Sequence, residues 1–175
     1  MRRILLDANV IIKLHELGVW TEVLLHVQKR GWRLLVAETV VSEVDYFRTE
    51  EGHVPIDLTQ DFQKELLDRF DMGAESLRKF RSGFDPLYAP ELDPGETECL
   101  AFLVENPEST LLCTSDSAAF RTLGLLNRSE NGISLEEFLQ QIGLGRRLPY
   151  QYTEKFRVRY THEGQRDFLQ RRGFR

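Results

Sequence analysis

The sequence has little cysteine and no long apolar run. Its two cysteines, Cys99 and Cys113, are too few for a disulfide framework and lack the spacing of a zinc site. No apolar stretch approaches the roughly 20 residues that span a membrane, and the first one meets Asp7 too early for a signal peptide. We therefore expect no membrane partner and a reducing, cytoplasmic location.

Several catalytic motifs are also missing. There is no Gly-rich loop of the nucleotide-binding kind, because Gly143-Leu144-Gly145 reads only as a helix end. No Ser-His-Asp or Cys-His arrangement is recognisable. The histidines have no metal-ligand spacing to another His or Cys; they are His15, His26, His53 and His162.

Charge is distributed unevenly along the 175 residues, whose overall composition is that of one globular domain. Residues 146–175 carry nine Lys and Arg against three Asp and Glu, a net charge of +6. Residues 1–145 carry the opposite excess, because the whole chain has a net charge of −5. We therefore divide the sequence into an acidic body, residues 1–145, and a basic extension, residues 146–175, which is better suited to attract a polyanion.

Short apolar runs alternate with helical spacings along the body. The runs at 3–6, 33–37, 110–114 and 132–133 predict strands covered on both faces. Apolar residues three or four apart predict helices between them, notably over 39–48 and over 59–79 with a break near Met72-Gly73. This alternation predicts an α/β fold with a central parallel sheet between layers of helices.

Two aspartates follow predicted strands, where parallel sheets place their working residues. Asp7 comes directly after the first strand, and Asn9 is well placed to orient it. Asp116 follows the strand at 110–114, and Thr114 and Ser115 are candidates to hold its oxygens. Each aspartate also fits a helix N-cap or a turn. The spacing does not establish whether the two strands are neighbours.

Two glutamates complete the set of candidate acids. Glu96 fits a capping box with Asp93, and Glu43 borders the apolar stripe of its helix, where an acid is usually solvated. Taken together, four carboxylates are the oxygen ligands that Mg²⁺ or Mn²⁺ prefers. Grouped closely, they would repel one another strongly without a cation. Such an ion polarises a phosphoryl oxygen and lowers the pKa of a bound water.

These acids lie in four segments that together resemble the PIN-domain ribonucleases. The third segment is similar to the Asp-x-Gly-Glu-x-Glu pattern of a bacterial branch close to the VapC-type toxins. The resemblance spans about residues 2–143. The segments are Leu5-Leu6-Asp7-Ala8-Asn9-Val10-Ile11, Thr39-Val40-Val41-Ser42-Glu43-Val44, Leu92-Asp93-Pro94-Gly95-Glu96-Thr97-Glu98 and Leu111-Leu112-Cys113-Thr114-Ser115-Asp116.

The resemblance implies a three-layer α/β/α fold and one or two Mg²⁺ or Mn²⁺ ions. It implies hydrolysis of RNA phosphodiester bonds without a covalent nucleophile. Asp7, Glu43, Glu96 and Asp116 form the implied catalytic set; Asp7, Glu96 and Asp116 are its metal ligands. Glu98 is an additional ligand or a supporting group.

Several biological roles and partners are compatible with this resemblance. The enzyme would be a toxin blocked by an antitoxin protein, or an RNA-processing enzyme, and a homodimer is compatible with either. Two alternatives stay open. One is a catalytically inactive PIN-like module that binds RNA or protein, and the other is a structure-specific DNA nuclease.

The basic extension and one substitution depart from the family pattern. Where the similar branch often has a basic residue, this sequence has Phe120, followed by Arg121. Alternation over 155–160 predicts a strand, and 164–172 a short helix with Phe168 and Leu169 inward. The extension is either an element packed on the body or an RNA-binding surface. The residues expected to contact RNA are Arg121, Arg146, Arg147, Lys155, Arg157 and Arg159.

Overall fold

The computed structural model describes residues 1–86 and 91–174. Residues 87–90 and residue 175 lie outside the described residues. The strands described are β1 Arg3–Leu6, β2 Arg33–Ala37, β3 Tyr46–Thr49, β4 Gly52–Pro55, β5 Asp68–Phe70, β6 Thr110–Cys113 and β7 Gly132–Ile133. The helices described are α1 Ala8–Glu16, α2 Trp20–Lys29, α3 Glu38–Glu43, α4 Thr59–Gln63, α5 Ala74–Ser82, α6 Pro94–Glu105, α7 Ser117–Leu125, α8 Leu135–Gln141 and α9 Glu154–Leu169. No helix in these two ranges is long and apolar enough to cross a membrane.

A parallel sheet in the order β5-β2-β1-β6-β7 forms the centre of the fold. Helices flank it in a three-layer α/β/α arrangement, which confirms the predicted fold class. Ile4, Leu5 and Leu6 are fully buried, as expected for a strand covered on both faces. The chain runs from β1 to β2 on one side, and β6 pairs with β1 on the other. The topological switch point of the sheet therefore lies between β1 and β6.

The segment predicted as one helix over 39–48 is a short helix followed by a β-hairpin. α3 ends at Glu43, and β3 then pairs with β4 in antiparallel register. Gly52 closes the turn with a φ of +135°, which is readily accessible only to glycine. Phe47, expected on the helix, instead packs its ring 5.7 Å from that of His15 on α1, a helix that the sequence pattern did not predict.

The segment predicted as helical over 59–79 contains a strand. Helical geometry ends after Gln63, and Glu65 adopts a left-handed φ of +55°. β5 then joins the sheet beside β2, where Asp68 forms an ion pair with Arg33. α5 begins at Ala74, so the break expected near Met72-Gly73 is confirmed.

The basic extension is helical where a strand was predicted. α9 places Phe156 and Tyr160 one turn apart, with ring centroids separated by 4.6 Å. Phe156 and Tyr160 are four residues apart, so they share one face in a strand and also in a helix, which explains the wrong prediction. Phe168 and Leu169, expected to point inward, are 43% and 78% exposed.

α7 and α9 cross in backbone contact, and each helix carries a glycine at the crossing. A Cβ atom on Gly164 would lie 1.8 Å from the carbonyl oxygen of Arg121. A Cβ atom on Gly124 would lie 2.1 Å from the carbonyl oxygen of Thr161. Only hydrogen atoms fit at these two positions, so the pairing of the helices depends on both glycines.

Gly164→Ala is therefore expected to destabilise the protein. Separating the two helices should cost about 1–3 kcal/mol, as overpacking does, and lower the Tm by roughly 3–10 °C. Circular dichroism during heating measures the shift. Gly73→Ala is the control, because a Cβ there meets no atom within 4 Å, and it should lower the Tm far less. Equal melting temperatures for Gly164→Ala and wild type would contradict this helix crossing.

Candidate active site

Thr114 joins two aspartates at the carboxyl ends of β1 and β6. Its Oγ1 donates a hydrogen bond to Asp7 Oδ2 at 3.0 Å and accepts one from the backbone amide of Asp116 at 3.0 Å. Because β1 and β6 are neighbours, with Leu6 beside Cys113, both aspartates lie at the switch point of the sheet. Open α/β sheets bind their ligands in this crevice.

Asp7 is buried without the partner that its charge requires. It occupies the N-cap position of α1, yet its side chain makes no capping hydrogen bond. Burial, together with the smaller effect of the charges of Asp93 and Asp116, raises the pKa of Asp7 to about 7 despite the Thr114 bond. No basic side chain among the described residues forms an ion pair with it. Helix capping therefore does not explain Asp7.

Asn9 and Ser115 do not hold the aspartates as expected. Asn9 is exposed, and within the described part of the chain its side chain makes no hydrogen bond to Asp7, a role that Thr114 takes instead. Ser115 interacts with the hydroxyl of Tyr152 in the extension. Neither residue makes the contact that was predicted for it. Which polar side chain contacts which carboxylate is decided only by the folded structure.

Asp116 caps α7 with one of its oxygens. Oδ1 accepts hydrogen bonds from the backbone amides of Ala118 at 2.6 Å and Ala119 at 3.1 Å. The N-cap interpretation from the sequence is confirmed, but it accounts for only half of the carboxylate. Among the described residues, nothing donates a hydrogen bond to Oδ2. One oxygen of Asp116 is therefore left for another ligand.

Glu96 belongs both to a capping box and to the acidic cluster. The amide of Glu96 donates to Asp93 Oδ1 at 2.7 Å, and Glu96 Oε2 accepts from the Asp93 amide at 3.2 Å. Burial, together with the charges of Asp116, Asp93 and Asp7, raises the pKa of Glu96 to about 8. Glu96 thus lies within electrostatic reach of both strand-end aspartates.

Glu43 approaches this group through a glycine on α6. A Cβ atom on Gly95 would lie 2.8 Å from Val40 and 3.1 Å from the Glu43 carboxylate, so only glycine lets α3 and α6 come this close. Partial burial raises the pKa of Glu43, and the charge of Asp93 adds to it. We call Asp7, Glu43, Glu96 and Asp116 the carboxylate cluster.

Glu98 lies outside the carboxylate cluster and connects secondary-structure elements. Its Oε2 accepts hydrogen bonds from the hydroxyl and the amide of Thr39, and its Oε1 accepts one from the amide of Met72 at 2.8 Å. These bonds tie α3 and the segment after β5 to α6. Both oxygens of Glu98 accept hydrogen bonds in this structure, and its role as an additional ligand stays a prediction.

Two of the arginines expected to contact RNA are engaged in ion pairs. Arg121 pairs with Asp167 of α9 at 2.6 Å, and Arg157 forms a bidentate pair with Glu137 at 2.7 Å. Both pairs join the extension to the body, and an RNA contact by these two residues stays a prediction. Phe120 is fully buried, with its ring edge-on to Phe156 of α9. This covering helix explains the apolar residue at that position.

The other basic residues of the extension are more accessible. Arg147 and Lys155 are exposed, with no ion pair among the described residues. Arg159 is also exposed, at 3.4 Å from Glu163. Arg146 is half-buried, and its Nε approaches the carbonyl oxygen of Leu144. Of the residues of the extension predicted to contact RNA, Arg147, Lys155 and Arg159 are therefore the exposed ones.

Two residues at the rim of the carboxylate cluster were not predicted. The Tyr152 side chain interacts with Ser115. Burial of Tyr152 raises its pKa, and the charge of Asp7 makes a smaller contribution. Lys13 Nζ lies 5.8 Å from the Tyr152 ring centroid and forms an ion pair with Glu16. No local signal marks either residue, since the contact joins the extension to a helix that the sequence pattern missed.

The donor chemistry of the carboxylate cluster fits a hard divalent cation. Its ligands are all oxygens, and burial and the charges of neighbouring acids raise the pKa values of Asp7 and Glu96. Within the described ranges, no three His, Cys, Asp or Glu side chains are arranged to hold an ion as they stand. Asp116 Oδ1 and Glu96 Oε2 are both used in capping bonds, so among the described contacts Asp116 Oδ2 and Glu96 Oε1 are the oxygens left for a cation.

Comparison with known proteins returned no match to this chain, whether with protein-family models, curated proteins or solved structures. What supports a function is the site itself.

Proposed function

We propose that the chain is a metal-dependent endoribonuclease of the PIN type. The observation that carries this proposal is the buried, unpaired Asp7, joined through Thr114 to Asp116 at the switch point of a parallel sheet. A structural carboxylate is normally paired or capped, and Asp7 is neither. Raised pKa values of grouped acids are typical of functional sites.

Each residue of the carboxylate cluster has a defined role in this proposal. Asp7, Glu96 and Asp116 hold one or two Mg²⁺ or Mn²⁺ ions. When bound, such an ion stabilises the charge that develops on a phosphoryl oxygen and makes water a better nucleophile. Thr114 orients Asp7 through its hydroxyl, and Glu43 supplies a fourth carboxylate from α3 that orients water. The cluster supplies no group suited to covalent catalysis.

Two other functions compete with this proposal. A catalytically inactive module would bind RNA or protein and would have no use for an unpaired buried acid, so the presence of all four carboxylates favours an enzyme. A structure-specific DNA nuclease would use the same cluster, and only its substrate differs. A toxin with an antitoxin partner and an RNA-processing enzyme are both compatible with the site.

Cleavage of a substrate panel tests the proposal. Purified protein is incubated with single-stranded RNA, structured RNA, single-stranded DNA and flap DNA, each with Mg²⁺, Mn²⁺ or chelator. We expect RNA to be cut internally in either metal and to survive in chelator. Cleavage of flap DNA alone would favour the DNA nuclease. Metal-independent RNA binding without cleavage of any substrate would favour the inactive module.

A further inference from the structure

The hairpin β3–β4 has two faces with different chemistry. Its register pairs Arg48 with His53, which places these two residues and Tyr46 on one face of the ribbon. On that face the Tyr46 and His53 rings stack with their centroids 4.4 Å apart. Tyr46 is 43% exposed, and Arg48 is exposed with no ion pair among the described residues. The hairpin thus presents stacked rings beside a free cation.

The opposite face of the hairpin holds it against the body. Phe47 lies between Tyr46 and Arg48 in sequence and therefore points the other way, toward α1. Its ring contacts His15, which in turn stacks on Trp20 at 5.1 Å. Trp20 Nε1 donates a hydrogen bond to Asp61 of α4. This chain of contacts gives the outward face a defined position.

A groove connects the hairpin to the carboxylate cluster. It has a volume of about 320 Å³. Its lining residues are Ile12, Glu16, Glu43, Asp45, Tyr46, Phe47 and Arg48. Glu43 belongs to the cluster through its contact with Gly95. A chain lying in this groove would therefore have one part at the carboxylates and the next part at the hairpin.

We infer that the outward face of the hairpin binds an unstacked base of single-stranded RNA, with Arg48 contacting a nearby phosphate. This inference rests on the proposed function, because RNA is the substrate assumed at the carboxylate cluster. Exposed aromatic rings bind single-stranded nucleic acid by stacking, and an adjacent arginine supplies charge for the backbone. Glu50 and Glu51 in the turn and the acids that line the groove all repel phosphate, so the backbone contact is limited to the phosphate beside Arg48.

Binding measurements on a protein that does not cleave test this inference. Asp116→Asn protein with Mg²⁺ is titrated into fluorescein-labelled single-stranded RNA, and anisotropy reports the Kd. Adding Tyr46→Ala should weaken binding roughly tenfold through lost stacking, whereas Tyr46→Phe should not. Arg48→Gln should weaken binding and reduce the salt dependence of the Kd by about one phosphate contact. Phe168→Ala is the control, because Phe168 is also 43% exposed but lies on α9, and it should have no effect.

Abasic substitution identifies the stacked nucleotide directly. We expect one position where removing the base weakens binding to Asp116→Asn but not to Asp116→Asn with Tyr46→Ala. Circular dichroism of each variant confirms folding. Equal affinity of the Tyr46→Ala and Tyr46→Phe proteins, or no RNA binding at all, overturns the inference.

Cleavage by the wild type separates this inference from the proposed function. Metal-dependent RNA cleavage together with Tyr46-independent binding would support the proposed nuclease and contradict RNA binding by the hairpin. Tyr46-dependent binding without any cleavage would support RNA binding by the hairpin and contradict the proposed nuclease activity.

Discussion

Asp116→Asn is expected to reduce metal-dependent RNA cleavage by at least about a hundredfold, since it removes a negatively charged ligand from the site. The fold should survive, because asparagine caps helices about as well as aspartate and can still accept from the Ala118 amide. RNA binding should also be retained. Cleavage of labelled single-stranded RNA in Mn²⁺, with wild type and variant purified in parallel, measures the loss.

Asp57→Asn provides a matched control for this result. Asp57 also accepts a local backbone hydrogen bond, from Thr59 at 2.9 Å, but it lies outside the carboxylate cluster. The control should cleave like wild type. Equal cleavage by wild type and Asp116→Asn would point to a contaminating nuclease and leave the assignment of the cluster without support.

Asp7→Asn is expected to stabilise the metal-free protein at pH 8 while abolishing its activity. Asp7 has its pKa raised by burial from an ordinary 3.8 to about 7. Its contribution to stability is therefore fully present below pH 3.8 and is lost as the pH rises through about 7. Asparagine does not ionise, and its carbonyl can still accept from Thr114. The variant should melt roughly 5 °C above wild type at pH 8.

The pH dependence separates this charge effect from a change in packing. In chelator, the difference in Tm between Asp7→Asn and wild type should grow from pH 5 to pH 8. Added Mn²⁺ should raise the Tm of the wild type more than that of the variant, since binding to the folded state stabilises it. A constant difference in Tm across this pH range would argue against an ionised, buried Asp7.

The sequence predicted the sheet and its strand-end acids because both signals are local. Apolar runs report burial on two faces, and an acid directly after such a run is placed at the carboxyl edge whatever follows. Helix caps were equally predictable from the sequence. The capping bonds that the spacing indicates are formed by Asp93 with Glu96 and by Asp116. Each of these features depends on residues within a few positions of one another.

The errors arise partly from ambiguous local patterns and partly from contacts between distant segments. The hairpin at Tyr46–Pro55 and α9 were mistaken because a short apolar pattern fits periods of two and nearly four alike. Arg121 and Arg157 were assigned to RNA because their partners, Asp167 and Glu137, become neighbours only after folding. One sequence signal was available and overlooked: glycine inside a helix, as at Gly164, marks close backbone contact.

The hydrogen bond from Thr114 to Asp7 spans 107 positions of the chain. Closing a loop of that size slows folding, because joining distant segments costs more loop-closure entropy than forming a local contact. A nascent chain that has passed Glu43, or even Glu96, already contains acids of the carboxylate cluster but cannot assemble it. Only when β6 emerges and docks beside β1 do the two aspartates meet, so the carboxylate cluster forms only after most of the body has been synthesised.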